Sequence, residues 1–132
     1  MDYKWDDKYL LDIEEIDEQH RGFFELWDIV KQRKDLQEKE KLSHIIEQLE
    51  EYVQYHFKYE EQLLQKVKYN GFEEHMAEHR FFIQKVDEMK QELKYMNTLL
   101  CEKIESFMKK WFLSHIMQSD REYVQAVKNF YK

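Results

Sequence analysis

Apolar residues recur at alternating spacings of three and four along most of the chain, which is the repeat of helices that bury one face. The pattern predicts four long helices, over about 18–36, 41–68, 72–94 and 98–117, and a short one over about 121–131. Residues 1–16 lack this repeat, and we expect them to form an ordered arm across the domain. Asp17 is the expected N-cap of the first helix. Asn70-Gly71 suits the turn between the second and third helices.

The repeat also predicts which side chains face the core. On the first two helices these are His20, Phe23 or Phe24, Trp27 and Val30, then Leu42, Ile45, Leu49, Tyr52 or Val53, His56, Glu60, Leu63 and Val67. On the remaining helices they are Phe72, His75, His79, Phe82, Val86, Met89 and Leu93, then Leu100, Ile104, Phe107 or Met108, Trp111 and His115, and finally Tyr123, Val124, Val127 and Phe130. Polar residues therefore interrupt apolar stripes on all four long helices.

Composition favours an all-α protein of one domain, because the 132 residues include no proline and two glycines and are rich in good helix formers. The net charge of −7 argues against nucleic acid or an anionic membrane surface as a partner. The chain has no apolar run of the ~20 residues that span a bilayer, and its N-terminus lacks the apolar segment of a signal peptide. Cys101 is the single cysteine, so we expect a reducing, cytoplasmic location.

Two pairs of metal-ligand residues, His56/Glu60 and His75/His79, have the spacing that places both members on one helix face. A lone histidine on an apolar stripe is more often a hydrogen-bonded core residue than a ligand. Here, however, five of the six histidines take inward positions, and only His44 lies off the stripe. Burying so many polar groups without partners would cost ~1–3 kcal/mol each. A shared metal site is therefore the better interpretation.

Imidazole and carboxylate ligands suit iron, zinc or manganese, and the lack of a cysteine pair argues against a zinc-thiolate site. Five imidazoles exceed the needs of one tetrahedral zinc, which indicates two ions with shared bridging ligands. The Glu-x-x-His motif of ferritin-like di-metal bundles is absent from the sequence. The predicted site is thus of a different, histidine-rich kind.

Five motifs are spread over nearly the whole chain: Trp5, Ile16-Asp17-Glu18-Gln19-His20, His56-Phe57-x-x-Glu60-Glu61, His75-x-x-x-His79, and Trp111-Phe112-Leu113-Ser114-His115-Ile116-x-x-x-Asp120. Together they resemble the hemerythrins, most strongly the single-domain bacteriohemerythrins, although each motif alone is not specific. The resemblance implies one domain over residues 1–132, folded as an up-down-up-down antiparallel four-helix bundle with an N-terminal arm and a short C-terminal helix.

The resemblance also implies the cofactor, two iron ions joined by an oxo or hydroxo bridge. One iron would be held by His75, His79 and His115. The other would be held by His20 and His56, and it would keep the open position where dioxygen binds. Glu60 and Asp120 would bridge both irons.

Three positions depart from the family's usual pattern. Phe112 follows Trp111 where leucine is common, beside the oxygen pocket, so we expect it to affect ligand access. Leu64 replaces a usual methionine, and Tyr69-Asn70 replaces Tyr-Pro. The last two changes concern packing and the turn.

The function implied is reversible dioxygen binding by an oxygen carrier, store or delivery protein that is not an enzyme and has no catalytic residue. One alternative is a di-iron enzyme, such as an oxidase, peroxidase or nitric-oxide-handling protein, which would need a proton donor or a substrate channel. Another is an oxygen- or iron-sensing module. The sequence leaves any protein partner unknown.

Two local predictions follow from helix geometry. His115 and Asp120 are five residues apart and would lie ~140° from each other on a regular α-helix. If both reach one site, we expect the fourth helix to stop at about 116–119, with Asp120 at the junction and its carboxylate turned inward. Glu61, rotated by ~100° from Glu60, should face away from the metals.

Overall fold

The computed structural model describes residue 5 and residues 7–32, 39–95 and 99–131, and all secondary structure in these ranges is helical. A 3₁₀ turn, Asp7–Tyr9, precedes helix α1, Glu14–Gln32. Helix α2 is α-helical over Lys39–Tyr52, π-helical over Val53–Phe57 and α-helical again over Lys58–Lys66. Helix α3 is Phe72–Lys94. Helix α4 joins an α-helical Leu100–Trp111, a π-helical Phe112–Ser119 and a final turn, Asp120–Glu122; helix α5 is Val124–Phe130.

The four long helices form a bundle, in which α1 packs on α2 and α4, and α3 packs on the same two helices. A large apolar cluster fills one part of the interior, from Val30 and Leu49 to Met89 and Ile104. A smaller cluster, built on Leu64, Tyr123 and Val127, closes the other part. The long helices also carry buried histidines and carboxylates, in addition to the apolar residues of these two clusters. None of the helices in the described ranges is long and apolar enough to cross a membrane.

The all-α prediction is confirmed, and the predicted bounds of the third helix match α3. The arm is shorter than predicted, because α1 begins at Glu14, and Asp17 is not its N-cap. Instead the Asp17 carboxylate accepts a hydrogen bond from the Leu11 N–H at 2.7 Å, which fixes the arm against the first turn of α1. Trp5 packs edge-on against Tyr9 and Phe24. The predicted end of the first helix, at about 36, and the start of the fourth, at 98, lie outside the described residues.

The turn between α2 and α3 forms where it was predicted, but its left-handed residue is Lys68, with φ 53°, and not Gly71. The Tyr69 N–H bonds to the Leu64 carbonyl and the Lys68 N–H to the Gln65 carbonyl. These two bonds are the Schellman motif that ends a helix. Gly71 has an ordinary φ of −87° and precedes the first residue of α3.

On α2 the buried apolar residue that follows Glu60 differs by one position from the prediction. Leu64 is fully buried, whereas Leu63, the predicted core residue, is only partly buried. Leu64 lies four residues after the buried Glu60 in the α-helical segment, so the two side chains share one face of the helix. Phe130 was also predicted to face inward, and it is half exposed and packs against Tyr131.

Candidate metal centre

All seven residues predicted as metal ligands converge in the interior of the bundle, and each is 0–2% exposed: His20, His56, Glu60, His75, His79, His115 and Asp120. Helix α1 supplies one of them, and α2, α3 and α4 supply two each. By contrast His44 is exposed and contacts Gln48 on its own helix, as its place off the stripe predicts.

The seven side chains fall into two overlapping groups whose ligand atoms lie within 4.8 Å of one another. One group contains Glu60, His75, His79 and His115, and the other contains His20, His56, Glu60 and Asp120. Because Glu60 belongs to both groups, the arrangement consists of two adjoining sites with a shared carboxylate.

Glu60 meets histidines through both of its oxygens. Oε1 lies 2.5 Å from Nε2 of His75 and 2.9 Å from Nε2 of His79. Oε2 lies 3.2 Å from Nε2 of His56. One carboxylate thus touches both groups, which is the position a bridging ligand needs.

Asp120 also spans the two groups. Its Oδ2 lies 2.8 Å from Nε2 of His20, and its Oδ1 lies 2.9 Å from Nε2 of His75 and 3.1 Å from Nε2 of His115. All five histidines therefore turn Nε2 toward the two carboxylates.

The fourth helix does not stop before Asp120, so that prediction is wrong. It widens into a π-helix over Phe112–Ser119, and the Asp120 N–H bonds to the carbonyl of His115, five residues back. This i→i+5 bond stacks Asp120 over His115 on one face. The Ser114 hydroxyl donates to the Lys110 carbonyl at 2.6 Å near the start of this segment, a contact that competes with regular α-helical bonding. The predicted inward turn of the Asp120 carboxylate is confirmed by its complete burial.

The two carboxylates are held in their charged form. Burial by itself would raise the pKa of Glu60, but the surrounding histidines lower it well below its usual value. Burial and the charge of Glu60 likewise work against ionisation of Asp120, and contacts with His115 and His20 nevertheless lower the pKa of Asp120. The centre therefore presents two anionic groups.

The histidines divide into two kinds. Burial would lower the pKa of His75, but Asp120 and Glu60 outweigh it and raise the pKa to about 9. The same carboxylates raise the pKa of His115 against the effect of burial. Burial dominates at His56 and His79, where the pKa is lowered. A metal ion at this centre needs neutral imidazoles, so its binding would release protons from His75 and His115, whose pKa values are raised.

Several buried polar atoms of the centre make no hydrogen bond within the described part of the chain. They include both oxygens of Asp120 and Nε2 of His20, His56 and His115. These atoms approach one another closely, yet not with hydrogen-bond geometry. Leaving such atoms unpaired costs about 1–3 kcal/mol each, and a cation among them would bind their lone pairs. Imidazole nitrogens with carboxylate oxygens are a donor set that fits iron, zinc or manganese.

Three side chains that the sequence analysis did not place in the metal centre lie against these residues. Gln19 Oε1 is 2.5 Å from Nδ1 of His56, and Glu78 Oε1 is 3.3 Å from Nδ1 of His115. Tyr123, fully buried, donates its hydroxyl to Glu60 Oε2 at 3.0 Å, and burial together with the Glu60 charge raises the pKa of this phenol. Of the three, Gln19 carried the strongest sequence signal, since it stands beside His20 in a motif.

Aromatic rings cover the outer faces of the imidazoles. Phe57 stacks on His79 at 3.8 Å between ring centroids, and Trp111 stacks on His115 at 3.9 Å. Tyr52 lies parallel to His56 at 4.8 Å. These rings keep polar solvent away from the centre.

The two residues proposed for the oxygen pocket occupy different surroundings. Trp111 lies on a histidine of the three-imidazole group. Phe112 is fully buried and its ring packs with Tyr9, Phe24 and Trp27, in the layer next to α1. Glu61 turns away from Glu60 and is 40% exposed, although its Oε2 is 3.9 Å from Nδ1 of His79.

Comparison with known proteins agrees with this centre. Residues 11–127 match the family model described as the Hemerythrin HHE cation binding domain. The chain is 32% identical over 127 residues to a bacteriohemerythrin of Clostridium acetobutylicum, covering 92% of this chain and 98% of that protein. It is 26% identical to a bacteriohemerythrin of Pseudomonas paraeruginosa, covering 95% and 81%, and 27% identical to a myohemerythrin of Theromyzon tessulatum, covering 92% and 90%. On this evidence the chain belongs to the hemerythrin family.

Proposed function

We propose that this protein binds dioxygen reversibly at a non-haem centre of two iron ions, as a carrier, store or delivery protein in the cytoplasm. The observation that carries the proposal is the pair of overlapping, fully buried ligand groups that share Glu60. Membership of the hemerythrin family supports iron over zinc or manganese. We also propose the family's up-down-up-down antiparallel arrangement for the four long helices.

In this proposal the seven buried side chains are the protein ligands. His75, His79 and His115 would hold one iron, and His20 and His56 would hold the other. Glu60 and Asp120 would be shared by both, which their contacts with both groups support. The position beside His20 and His56 would have one protein ligand fewer and would be the place for an external ligand.

The protein's own part is to orient these ligands and to exclude water. When bound and reduced, the iron pair supplies the electrons that reversible dioxygen binding requires. Tyr123 holds Glu60 by a hydrogen bond to Oε2, whereas the histidines of α3 contact Oε1. We propose that Phe112 and Trp111 border the oxygen pocket, and that the bulk of Phe112 tunes the rate at which the ligand enters and leaves.

The test is an optical spectrum of the reduced, iron-loaded protein, recorded before air, after air and again after degassing. We expect a new absorption band in air that disappears on degassing, and two irons per chain by elemental analysis. His75→Ala should lose both properties, whereas His44→Ala, the matched exposed control, should keep them. One zinc per chain with no iron uptake on reconstitution would contradict the proposal. Rapid irreversible oxidation in air would favour the di-iron enzyme instead.

A further inference from the structure

Glu78 lies on α3 between the two histidines of that helix, but it is not one of the converging ligands. Its carboxylate is 40% exposed and reaches sideways to α4. There Oε1 approaches Nδ1 of His115 to 3.3 Å, a charge contact without hydrogen-bond geometry, and accepts a hydrogen bond from the Ser119 hydroxyl at 2.8 Å. Two residues of the π-helical segment, His115 and Ser119, thus contact one carboxylate oxygen.

The contact has a chemical consequence for His115. A neutral imidazole carries one N–H, and the partner of one nitrogen decides which nitrogen keeps its lone pair. With the N–H at Nδ1 facing Glu78, the lone pair is at Nε2, which lies 3.1 Å from Asp120 in the centre. A carboxylate partner also makes the imidazole a stronger donor to a metal.

Two other histidines of the centre, His56 and His79, lack an equivalent contact. Nδ1 of His56 faces the neutral amide of Gln19 at 2.5 Å. Nδ1 of His79 has a carboxylate nearby, that of Glu61, but at 3.9 Å it is beyond hydrogen-bond distance. Among these three, His115 alone has an anionic side chain close to its outer nitrogen.

We propose that Glu78, held in place by Ser119, is a positioning residue that sets the ring orientation and tautomer of His115 for metal binding. The inference rests on the proposed function, since it concerns the same centre. It also assigns the two metal positions different electronic surroundings. The three-imidazole position has an anionic partner behind one ligand, and the two-imidazole position has a neutral amide behind one of its ligands.

The surface position of Glu78 makes the proposal testable without disturbing the core. Glu78 lines a groove of about 960 Å³ between α3 and α4, together with Phe81, Lys110 and Ser114. Because the carboxylate borders this groove, Glu78→Gln changes its charge without leaving a buried cavity. Glu74, exposed one turn earlier on the same helix, provides the matched control as Glu74→Gln.

The experiment compares iron release from the wild type, Glu78→Gln, Ser119→Ala and Glu74→Gln into excess chelator, with thermal unfolding of each metal-free protein. We expect Glu78→Gln to release iron about 10–100-fold faster, Ser119→Ala to release it at an intermediate rate, and Glu74→Gln to match the wild type. The metal-free proteins should unfold at the same temperature.

Equal iron release from Glu78→Gln and Glu74→Gln would overturn the inference and leave the proposed function intact. A matching loss of stability in metal-free Glu78→Gln would show a structural role and would also overturn it. If the wild type bound no iron, the proposed function would fail and the inference with it.

Discussion

At the scale of single residues, Glu60 makes the most consequential contacts of the centre. Its two oxygens meet His56, His75 and His79, and Tyr123 donates to it from the junction between α4 and α5. Its neighbour Glu61 is partly exposed and outside this set. The difference between two adjacent glutamates is therefore a test of the site.

We expect Glu60→Ala to abolish iron binding, because it removes the carboxylate shared by both ligand groups. Glu61→Ala should keep close to two irons per chain, since it removes only a distant neighbour of His79. Elemental analysis of the purified, reconstituted variants measures both. Equal iron content in the two variants would show that the wrong carboxylate has been assigned to the centre.

The metal-free protein should have a characteristic pH dependence. The pKa of His75 is raised to about 9 in the folded chain, against ~6.5 for an ordinary histidine. The stabilisation from its proton is complete below pH ~6.5 and is lost as the pH rises through about 9. His115 contributes in the same direction. We expect the free energy of unfolding, measured in urea, to fall between pH 7 and 10.

His75→Gln should flatten this fall, because glutamine does not titrate. An unfolding free energy that stays constant or rises over the same pH interval in the metal-free wild type would contradict the expected protonation of the centre.

At the scale of the elements, the sequence predicts which helices form better than it predicts their internal geometry. The repeat of three and four indicates the face that carries His75, His79 and Phe82, and the structure buries all three. It cannot reveal a π turn, which adds one residue locally and depends on contacts with other helices. Hence the sequence does not show that His115 and Asp120 share a face although five residues separate them.

Polar contacts between helices are equally hard to predict. Gln19, Glu78 and Tyr123 are residue types that commonly lie on surfaces or in ordinary packing, and no spacing along one helix indicates that they contact a metal centre. Their partners come from other elements, 37 to 63 residues away. The candidate ligands could be predicted because their chemistry is unusual on an apolar stripe, whereas these neighbouring residues become visible only in three dimensions.

Gly22 provides a test of helix α1. A β-carbon built at this position meets no atom within 4 Å, so alanine fits without a clash. Glycine in a helix interior costs about 0.5–1 kcal/mol relative to alanine. We therefore expect Gly22→Ala to raise the free energy of unfolding by that amount in chemical denaturation.

Gly71→Ala is the matched control at the start of α3. There a β-carbon would lie 2.9 Å from the Tyr69 ring, so the ring must move and no gain is expected. A loss of stability in Gly22→Ala, or an equal gain in both variants, would contradict the described packing of α1.

At the scale of the whole molecule, the candidate centre is a polar layer between two apolar clusters. One is the large cluster, which includes Phe23 and Leu93, and the other is the smaller cluster, which includes Tyr123. Each of the four long helices contributes at least one side chain to the layer. The layer consequently joins all four helices at one point, so its occupancy should govern the stability of the entire bundle.

Removal of the metal is expected to weaken the whole fold. Without a cation, the buried imidazoles and carboxylates keep polar atoms that lack hydrogen bonds within the described chain. A ligand present at 100 times its Kd stabilises the folded state by about 2.7 kcal/mol. For a domain of this size that corresponds to a decrease in Tm on the order of 10 °C when iron is removed. Thermal unfolding of iron-loaded and chelator-treated protein measures the difference. Glu60→Ala is the control, because its Tm should not respond to iron; an unchanged wild-type Tm after complete iron removal would contradict the coupling of this centre to folding.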